Sequence, residues 1–175
     1  MASFISKKVE FNPMNLINIL DSLNVCINSN IIIDIAFYLQ NTKHCHNHIS
    51  FIVDNKNRNI ITYMFNSYYN SKVFPFSSHS EINSINKCIK LGNVIRNRPK
   101  VILIVVKLSK TGILGMSKPC YHCRLFINSN YENLNLIKIY YSNKNNLEEL
   151  NIMNLLDKES QHLSAGYSYK RQFKI

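Results

Sequence analysis

The chain has 175 residues and carries 21 lysines and arginines against 10 acidic residues, a net charge of +11. It is long enough for one domain with a sizeable core, and no apolar run approaches the roughly 18 residues of a membrane helix. The basic excess favours anionic partners such as nucleotides or nucleic acid, and it equally suits a solvated basic surface.

The opening stretch, MASFISKKVEF, carries charge too early and has too short an apolar run for a secretory signal. We therefore expect a soluble cytoplasmic protein without membrane contact, with the nucleus as the alternative location. Five cysteines, two of them in a C-x-x-C, indicate metal or redox chemistry rather than disulfides in such a reducing compartment.

Two helices are predicted near the N-terminus. Leucines and isoleucines recur at helical intervals over 12–24, with Asn12 as the N-cap and Pro13 at the first helical position. A second helix is predicted over 29–40, capped by its first or second residue, although its isoleucines also suit a strand.

The middle of the chain predicts a hairpin, a helix and a central strand. Two β-branched and aromatic runs flank the polar loop DNKNRN within 48–65, which indicates a β-hairpin. HSEINSINKCIKLG (79–92) has isoleucines at helical spacing and a glycine stop. KVILIVVKLS (100–109) is almost continuously apolar, which is typical of a strand buried on both faces.

The last third predicts a helix and one or two strands. PCYHCRLFIN (119–128) opens with proline at a helix start, and LNLIKIYYS (134–142) predicts a strand. LEELNIMNLL (147–156) suits either a helix or a strand that pairs with 134–142 through the turn-like SNKNN, and we favour the strand. The order of elements predicts an α/β fold, a mixed five-stranded sheet with helices on both faces.

Two short motifs indicate a metal site. Cys120 and Cys123 are three residues apart, so on a helix they share one face, and in its first turn the unpaired N–H groups favour thiolate. A catalytic zinc takes three protein ligands, often thiolate and imidazole, and keeps its fourth position for water. His79 supplies the third ligand if its own helix points end-on at the ion. We expect one Zn²⁺ per chain at these three residues.

Glu81 has a different predicted role beside that metal. In mid-helix it would diverge from His79, two residues away, but at a helix start aimed at the ion both reach one pocket. It is not needed as a ligand, and a carboxylate next to a zinc-activated water can carry protons to a substrate. We therefore predict that Glu81 is the catalytic acid and base.

The ordered pair H-x-E … P-C-x-x-C is the signature of zinc deaminases that act on nucleobases. On HSE (79–81), on SKPCYHC (117–123) and on the elements around them, the chain resembles the cytidine and deoxycytidylate deaminase superfamily over roughly 48–142. The resemblance implies a three-layer cytidine-deaminase-like fold, with the histidine and the two cysteines as zinc ligands and the glutamate as acid and base.

The resemblance also implies contacts to a cytosine-containing substrate. An asparagine after the second strand contacts sugar or base in the family. Asn66 stands at the matching point, with Asn70 as the weaker choice. Ser80 replaces the usual alanine between the histidine and the glutamate, and its backbone N–H can still meet the base carbonyl.

Three further residues complete the expected substrate contacts. Pro119, directly before the first cysteine, is expected to line the pocket. Phe76 can stack on a base, although core packing is the commoner use of such aromatics. Arg124 either meets a substrate phosphate or forms a surface ion pair.

The leading interpretation is hydrolytic deamination of a cytosine nucleoside or nucleotide, of the cytidine or dCMP type, to its uracil counterpart and ammonia. The first alternative is a deaminase of cytosine or adenine within single-stranded DNA or RNA, including tRNA, and the basic tail HLSAGYSYKRQFKI (162–175) favours it. The second is a catalytically silent, zinc-containing relative that binds nucleic acid. A strand at 147–156 would imply the cytidine deaminase branch of the superfamily, and a helix the other branch.

We expect one deaminase-like domain over 1–175. It would comprise an N-terminal helical part (1–45), a core with the zinc site (48–142), and a C-terminal strand or helix with the basic tail (143–175). The sequence is compatible with a homo-oligomer and with a monomer, because no feature of it decides the oligomeric state. The remaining cysteines are expected to be ordinary buried or half-buried thiols: Cys26, Cys45 and Cys88.

Overall fold

A mixed six-stranded sheet forms the centre of the fold in this computed structural model, which describes residues 10–44, 46–70, 75–92 and 99–157. The helices are α1 (Met14–Asp21), α2 (Ser29–Asn41), α3 (Ser80–Gly92) and α4 (Tyr121–Leu134). The strands are β1 (His46–Asp54), β2 (Ile60–Phe65), β3 (Ser67–Asn70), β4 (Pro75–Ser78), β5 (Val101–Ser109), β6 (Leu114–Gly115), β7 (Leu136–Asn143) and β8 (Asn146–Leu150).

Five strands lie along the main sheet in the order β2-β1-β5-β7-β8, and the two-residue β6 pairs with β5 from the side. β5 and β7 are parallel with α4 as their crossover, and the other pairings among the described strands are antiparallel. β3 and β4 form a separate two-stranded sheet. The predicted mixed sheet of five strands is confirmed. β6 is an addition, because a Leu-Gly pair carries no strand pattern of its own.

Strand β5 divides the core into two halves. Ile102, Ile104 and Val106 face the half that contains α1 and α2, and Leu103 and Val105 face the half that contains α3 and α4. All five side chains are fully buried. Because both faces of the strand are covered, no position in the run can be polar without a partner. The prediction of helices on both faces of the sheet is confirmed.

The first two helices form where predicted, with shifted ends. The N-cap of α1 is Pro13, so the predicted cap at Asn12 and the predicted helix start at Pro13 are each one residue too early. The side chain of Asn12 still accepts a hydrogen bond from Met14 N at 2.9 Å. α1 ends at Asp21, and the next three residues form a turn. α2 is capped by Asn28, whose side chain accepts from Ile31 N at 2.9 Å, one residue before the predicted cap.

The segment after β7 is a strand. β8 pairs antiparallel with β7 across a two-residue turn, in which Lys144 adopts a positive φ of 54°. A short 3₁₀ turn, Ile152–Asn154, follows. The strand prediction is therefore confirmed for 147–150, and the helix alternative is wrong there. Within the described ranges no helix is both long enough and apolar enough to cross a bilayer.

The structure describes two of the three remaining cysteines. Cys88 is buried as expected, whereas Cys26 is exposed, because it turns outward next to the fully buried Val25 in the loop after α1. Cys45 and the tail 162–175 lie outside the described residues.

Candidate metal centre

The starts of α3 and α4 meet at one place. His79 directly precedes α3, Cys120 is the N-cap of α4, and Cys123 lies in the first turn of α4. His79 Nδ1 lies 3.1 Å from Cys123 Sγ and 3.5 Å from Cys120 Sγ. The three ligand atoms all lie within 4.8 Å of one another. The structure thus brings together the three predicted ligands, called the metal cluster below.

Local backbone geometry explains this convergence. Cys120 has an extended backbone, with φ −67° and ψ 164°, and its carbonyl accepts the first helical hydrogen bond, from Arg124 N at 2.9 Å. Its side chain makes no capping hydrogen bond, so the sulfur stays available to a ligand. In the same way, the carbonyl of His79 accepts from Asn83 N at 3.1 Å as α3 begins.

The cluster chemistry suits zinc. The donor set is one imidazole nitrogen and two sulfurs, which zinc binds at about 2.0–2.1 and 2.3 Å. A tetrahedral ion with those bond lengths separates nitrogen from sulfur by about 3.5 Å, close to the two distances found here. Among the described residues, no other three His, Cys, Asp or Glu side chains are grouped closely enough to share an ion. Three protein ligands would leave one coordination position for a small molecule.

The two thiols of the cluster share one proton. A hydrogen bond from Cys123 lowers the pKa of the Cys120 thiol to about 3. That same bond, together with burial, raises the pKa of Cys123. The hydrogen bond between His79 and Cys120 raises the pKa of the imidazole, and burial opposes that shift. Without metal, the cluster therefore holds a thiolate at Cys120 and a thiol at Cys123.

Zinc binding should release the proton of Cys123, and also that of His79 wherever the imidazole is protonated. Cys120 is already ionised and releases none, whereas Cys123 must lose its proton. Once the pH falls below the raised pKa of His79, a second proton must leave, and affinity drops by about tenfold per pH unit for each proton released. Titration calorimetry in buffers of different ionisation enthalpy counts these protons. Zinc binding with no proton release at pH 7 would contradict the shared proton.

Glu81 is buried beside the cluster, in the first turn of α3, with 3% of its surface exposed. Burial raises the pKa of its carboxyl, and the positive charge of His79 opposes that shift. The charge of Glu81 and its hydrogen bond with Cys123 add to the causes that raise the pKa of that thiol. Ser80 Oγ donates to Glu81 Oε2 at 3.2 Å. The predicted acid and base thus lies beside the metal cluster.

The loop that leads to Cys120 is fixed by two buried serines. Ser117 Oγ donates to Val105 O at 2.7 Å, and Ser117 N donates to Ser142 O at 2.8 Å. Ser142 donates from its N to Ser117 Oγ at 2.8 Å and from its Oγ to Gly115 O at 2.7 Å. These contacts tie the loop to β5 and β7, three residues before the first cysteine.

Ser117→Ala should weaken both the fold and the metal site. It leaves a buried backbone N–H of Ser142 without its serine acceptor, which costs about 1–3 kcal/mol of unfolding free energy, and it frees the loop before Cys120. Loss of such a supporting contact lowers zinc affinity by about tenfold. Urea unfolding and chelator competition measure the two effects. Ser129→Ala, on the exposed face of α4, is the control. A stability loss with unchanged zinc affinity would show that the loop does not position the ligand.

Two expected substrate-contact residues lie next to the cluster. Pro119 is buried directly before Cys120. Arg124 is fully buried, so its alternative role in a surface ion pair is wrong. The reason is its place on α4, where Ile127, one turn later, is also fully buried against the sheet. Contact with a substrate phosphate stays a prediction for Arg124.

Asn66 is anchored by α2 and β1. Tyr38 OH donates to its backbone oxygen at 2.8 Å and lies 3.2 Å from its Oδ1, which also accepts from His48 N at 3.2 Å. These bonds fix the end of β2, and contact of Asn66 with a sugar or base stays a prediction. The side chains of Phe76 and Asn70 lie outside the described part of the chain.

Sequence reasoning missed several residues that build the site. Asn83 joins three elements: its Nδ2 donates to Phe65 O at 2.9 Å and to Ser67 Oγ at 3.2 Å, and its Oδ1 accepts from Ser78 Oγ at 2.6 Å. Ser50, on β1, contacts Ser80 and was also missed. A serine within the apolar strand sequence HISFIVD was the signal that could have found it.

No protein-family model matches this chain, and no curated protein matches its sequence. Among solved structures, the chain is similar to the crystal structure of a cytidine deaminase from Burkholderia pseudomallei, with a TM-score of 0.46 and 14% sequence identity. That match covers 75% of this chain and 98% of the other. The fold and site described here define a mixed α/β protein with a candidate metal centre at two converging helix starts.

Proposed function

We propose that this protein is a zinc-dependent hydrolytic deaminase of a cytosine nucleoside or nucleotide. The observation that carries the proposal is Glu81, a buried carboxylate beside the metal cluster that the cluster does not need as a ligand. A purely structural zinc site has no use for such a group. A deaminase needs one, because protons must move from water to the substrate.

His79, Cys120 and Cys123 would hold the ion. Bound zinc would supply a Lewis acid that makes water nucleophilic near neutral pH. Glu81 accepts a proton from the water that attacks C4 and delivers it to ring N3. It then carries the second proton to the amino group, so the C4–N bond breaks and ammonia leaves. Water and cytosine thereby give uracil and ammonia, and the carboxylate is regenerated.

The surroundings of Glu81 support this role. Burial raises its pKa above the usual 4.5, which brings the carboxyl closer to the range in which a group both accepts and donates protons. Ser80 lies in the first turn of α3, where backbone N–H groups have no partner within the helix. We assign its N–H to the base carbonyl. Asn66, Pro119, Phe76 and Arg124 are the further proposed substrate contacts.

The antiparallel β8 supports a free nucleoside or nucleotide as substrate, because in the superfamily that the chain resembles this arrangement implies the cytidine deaminase branch. The net charge of +11 favours the second candidate, a deaminase of single-stranded DNA or RNA. Much of that basic excess lies in segments outside the described residues, such as 158–175.

Ammonia release by the zinc-loaded protein tests the proposal. The panel holds cytidine, deoxycytidine, CMP and dCMP beside single-stranded DNA, RNA and a tRNA pool. Turnover of a free nucleoside or nucleotide is expected. Turnover on polymers alone would favour the second candidate. No turnover, with zinc bound and nucleic-acid affinity that falls steeply with salt, would identify a silent binding protein and overturn the enzyme proposal.

A further inference from the structure

Two buried hydroxyls connect the central sheet to the carboxylate of Glu81. Ser50 Oγ on β1 lies 2.7 Å from Ser80 Oγ, and Ser80 Oγ donates to Glu81 Oε2 at 3.2 Å. Both serines are fully buried. The contact between Ser50 and Ser80 joins residues 30 positions apart in the sequence, so it is made by the tertiary fold and not by a local turn.

The direction of this hydrogen-bond chain follows from proton counting. A serine hydroxyl carries one proton. Because Ser80 gives its proton to Glu81, the proton in the 2.7 Å bond must come from Ser50. The donors therefore run one way, from the strand to the carboxylate, and they end on Oε2. Oε1 takes no part in this hydrogen-bond chain.

The two serines are held with very different firmness. Ser50 lies in a strand that pairs on both sides, opposite Met64 of β2 and Val105 of β5. Its Cα is fixed by two hydrogen-bonded ladders. Ser80 is the first residue of α3, where the backbone N–H groups lack helical partners. The rigid end of the chain is therefore Ser50.

We propose that Ser50 is a positioning residue of the deaminase: it fixes the hydroxyl of Ser80, which in turn fixes the Glu81 carboxylate for proton transfer. This inference rests on the proposed function and adds to it a residue outside both sequence motifs. We assign Ser50 no direct contact with substrate or ion. Its effect on the reaction passes through Ser80 alone, and that restriction is what makes it testable.

Ser84 supplies a matched control. It is a fully buried serine one turn after Ser80, and its Oγ donates at 3.0 Å to the backbone carbonyl of Glu81, not to the carboxylate. Ser84→Ala therefore removes a buried hydroxyl and a bond to the same residue without touching the proposed chain. A general effect of lost serine hydroxyls on the fold would appear in this variant too.

A double-mutant cycle on kcat tests the proposal. Ser50→Ala should lower kcat by about tenfold, within the range that misplacement of a catalytic group costs, with KM changed by less than about twofold. Ser50→Ala/Ser80→Ala should have the kcat of Ser80→Ala, because Ser50 has no effect once Ser80 lacks its hydroxyl. Ser84→Ala should keep the kcat of the unmodified protein. Additive losses in the double variant, or an equal loss in Ser84→Ala, would overturn the proposal.

A second readout does not depend on turnover. Crystal structures of zinc-loaded wild-type and Ser50→Ala protein should show the Glu81 carboxylate shifted or in two rotamers only in the variant, with equal zinc content. An unmoved carboxylate would overturn the positioning role. If the wild-type protein turns over nothing in the panel, the proposed function fails, and the carboxylate position in these two structures still decides whether Ser50 positions Glu81.

Discussion

Glu81→Gln should lower kcat by about 10⁴-fold while the protein stays folded and binds zinc. The variant keeps the size and most of the shape of a side chain that is almost completely buried in the first turn of α3. It removes the group that accepts and returns both protons of the reaction. General acid and base catalysis by one side chain contributes about 10²–10⁴-fold, and we expect the upper end because both transfers depend on the same carboxylate. Ammonia release and zinc content are the measurements.

The same substitution should change stability in a pH-dependent way. Burial raises the pKa of folded Glu81 above its ordinary value of 4.5. Stability that the protonated carboxyl provides is fully present below 4.5 and is lost as the pH rises through the higher folded-state pKa. Glutamine has no such titration. Metal-free Glu81→Gln should therefore gain unfolding free energy relative to wild type as the pH rises from 4 to 7, which urea unfolding at several pH values can follow.

Glu132→Gln is the matched control for both effects. Glu132 lies on α4, the helix that carries Cys123, but its side chain is exposed and accepts a hydrogen bond from Tyr131 OH. Activity, zinc content and stability should stay close to wild type, because changes at such exposed sites are within about 0.5 kcal/mol. Loss of zinc from Glu81→Gln would show instead that Glu81 helps to hold the ion. Retained activity would remove it from the proton path.

Patterns along the chain predicted the elements and the meeting of the two motifs. The apolar run 100–109 required a strand covered on both faces, and β5 is such a strand. A metal that takes ligands from 79 and from 120–123 required two helix starts to converge, and those of α3 and α4 do. In both cases the chemistry of a few neighbouring residues is compatible with only one structural arrangement. That arrangement could therefore be predicted from one sequence.

Contacts that depend on strand register could not be predicted from the sequence. Ser50 meets Ser80 across 30 residues, and Ser117 meets Ser142 across 25. Alternation along a strand tells which residues share a face, but not which residue of another element lies opposite. The burial of Arg124 was missed for a related reason. Arg124 is followed by three consecutive apolar residues, Leu125 to Ile127. Periodicity alone therefore does not identify which face of α4 is buried.

Cys123→Ser should lower zinc affinity by at least about a hundredfold, more than the loss of a supporting contact costs. Cys123 Sγ is fully buried and lies 3.1 Å from His79 Nδ1, so it is central to the metal cluster. A serine hydroxyl is a poor zinc ligand, because zinc takes the thiolate and a hydroxyl stays protonated at neutral pH. Chelator competition measures the affinity directly.

The weaker zinc binding should also lower stability relative to wild type, by an amount that is larger when zinc is present. At a free zinc concentration of 100 times Kd, binding adds about 2.7 kcal/mol to the unfolding free energy of wild type. At that concentration a variant that binds a hundredfold more weakly gains only about 0.4 kcal/mol. Thermal unfolding with and without zinc should therefore separate the two proteins by about 2.3 kcal/mol more in zinc than in its absence.

Cys88→Ser separates ligand loss from the general cost of a polar group at a buried thiol. Cys88 is a buried cysteine on α3, outside the metal cluster. Its serine variant should lose stability equally with and without zinc, and its zinc affinity should match wild type, because no ligand has changed. If Cys123→Ser behaved in the same way, Cys123 would not be a ligand, and the cluster would keep too few donors for a zinc site of the proposed kind. A zinc-dependent difference confined to Cys123→Ser would place the ion between the two helix starts.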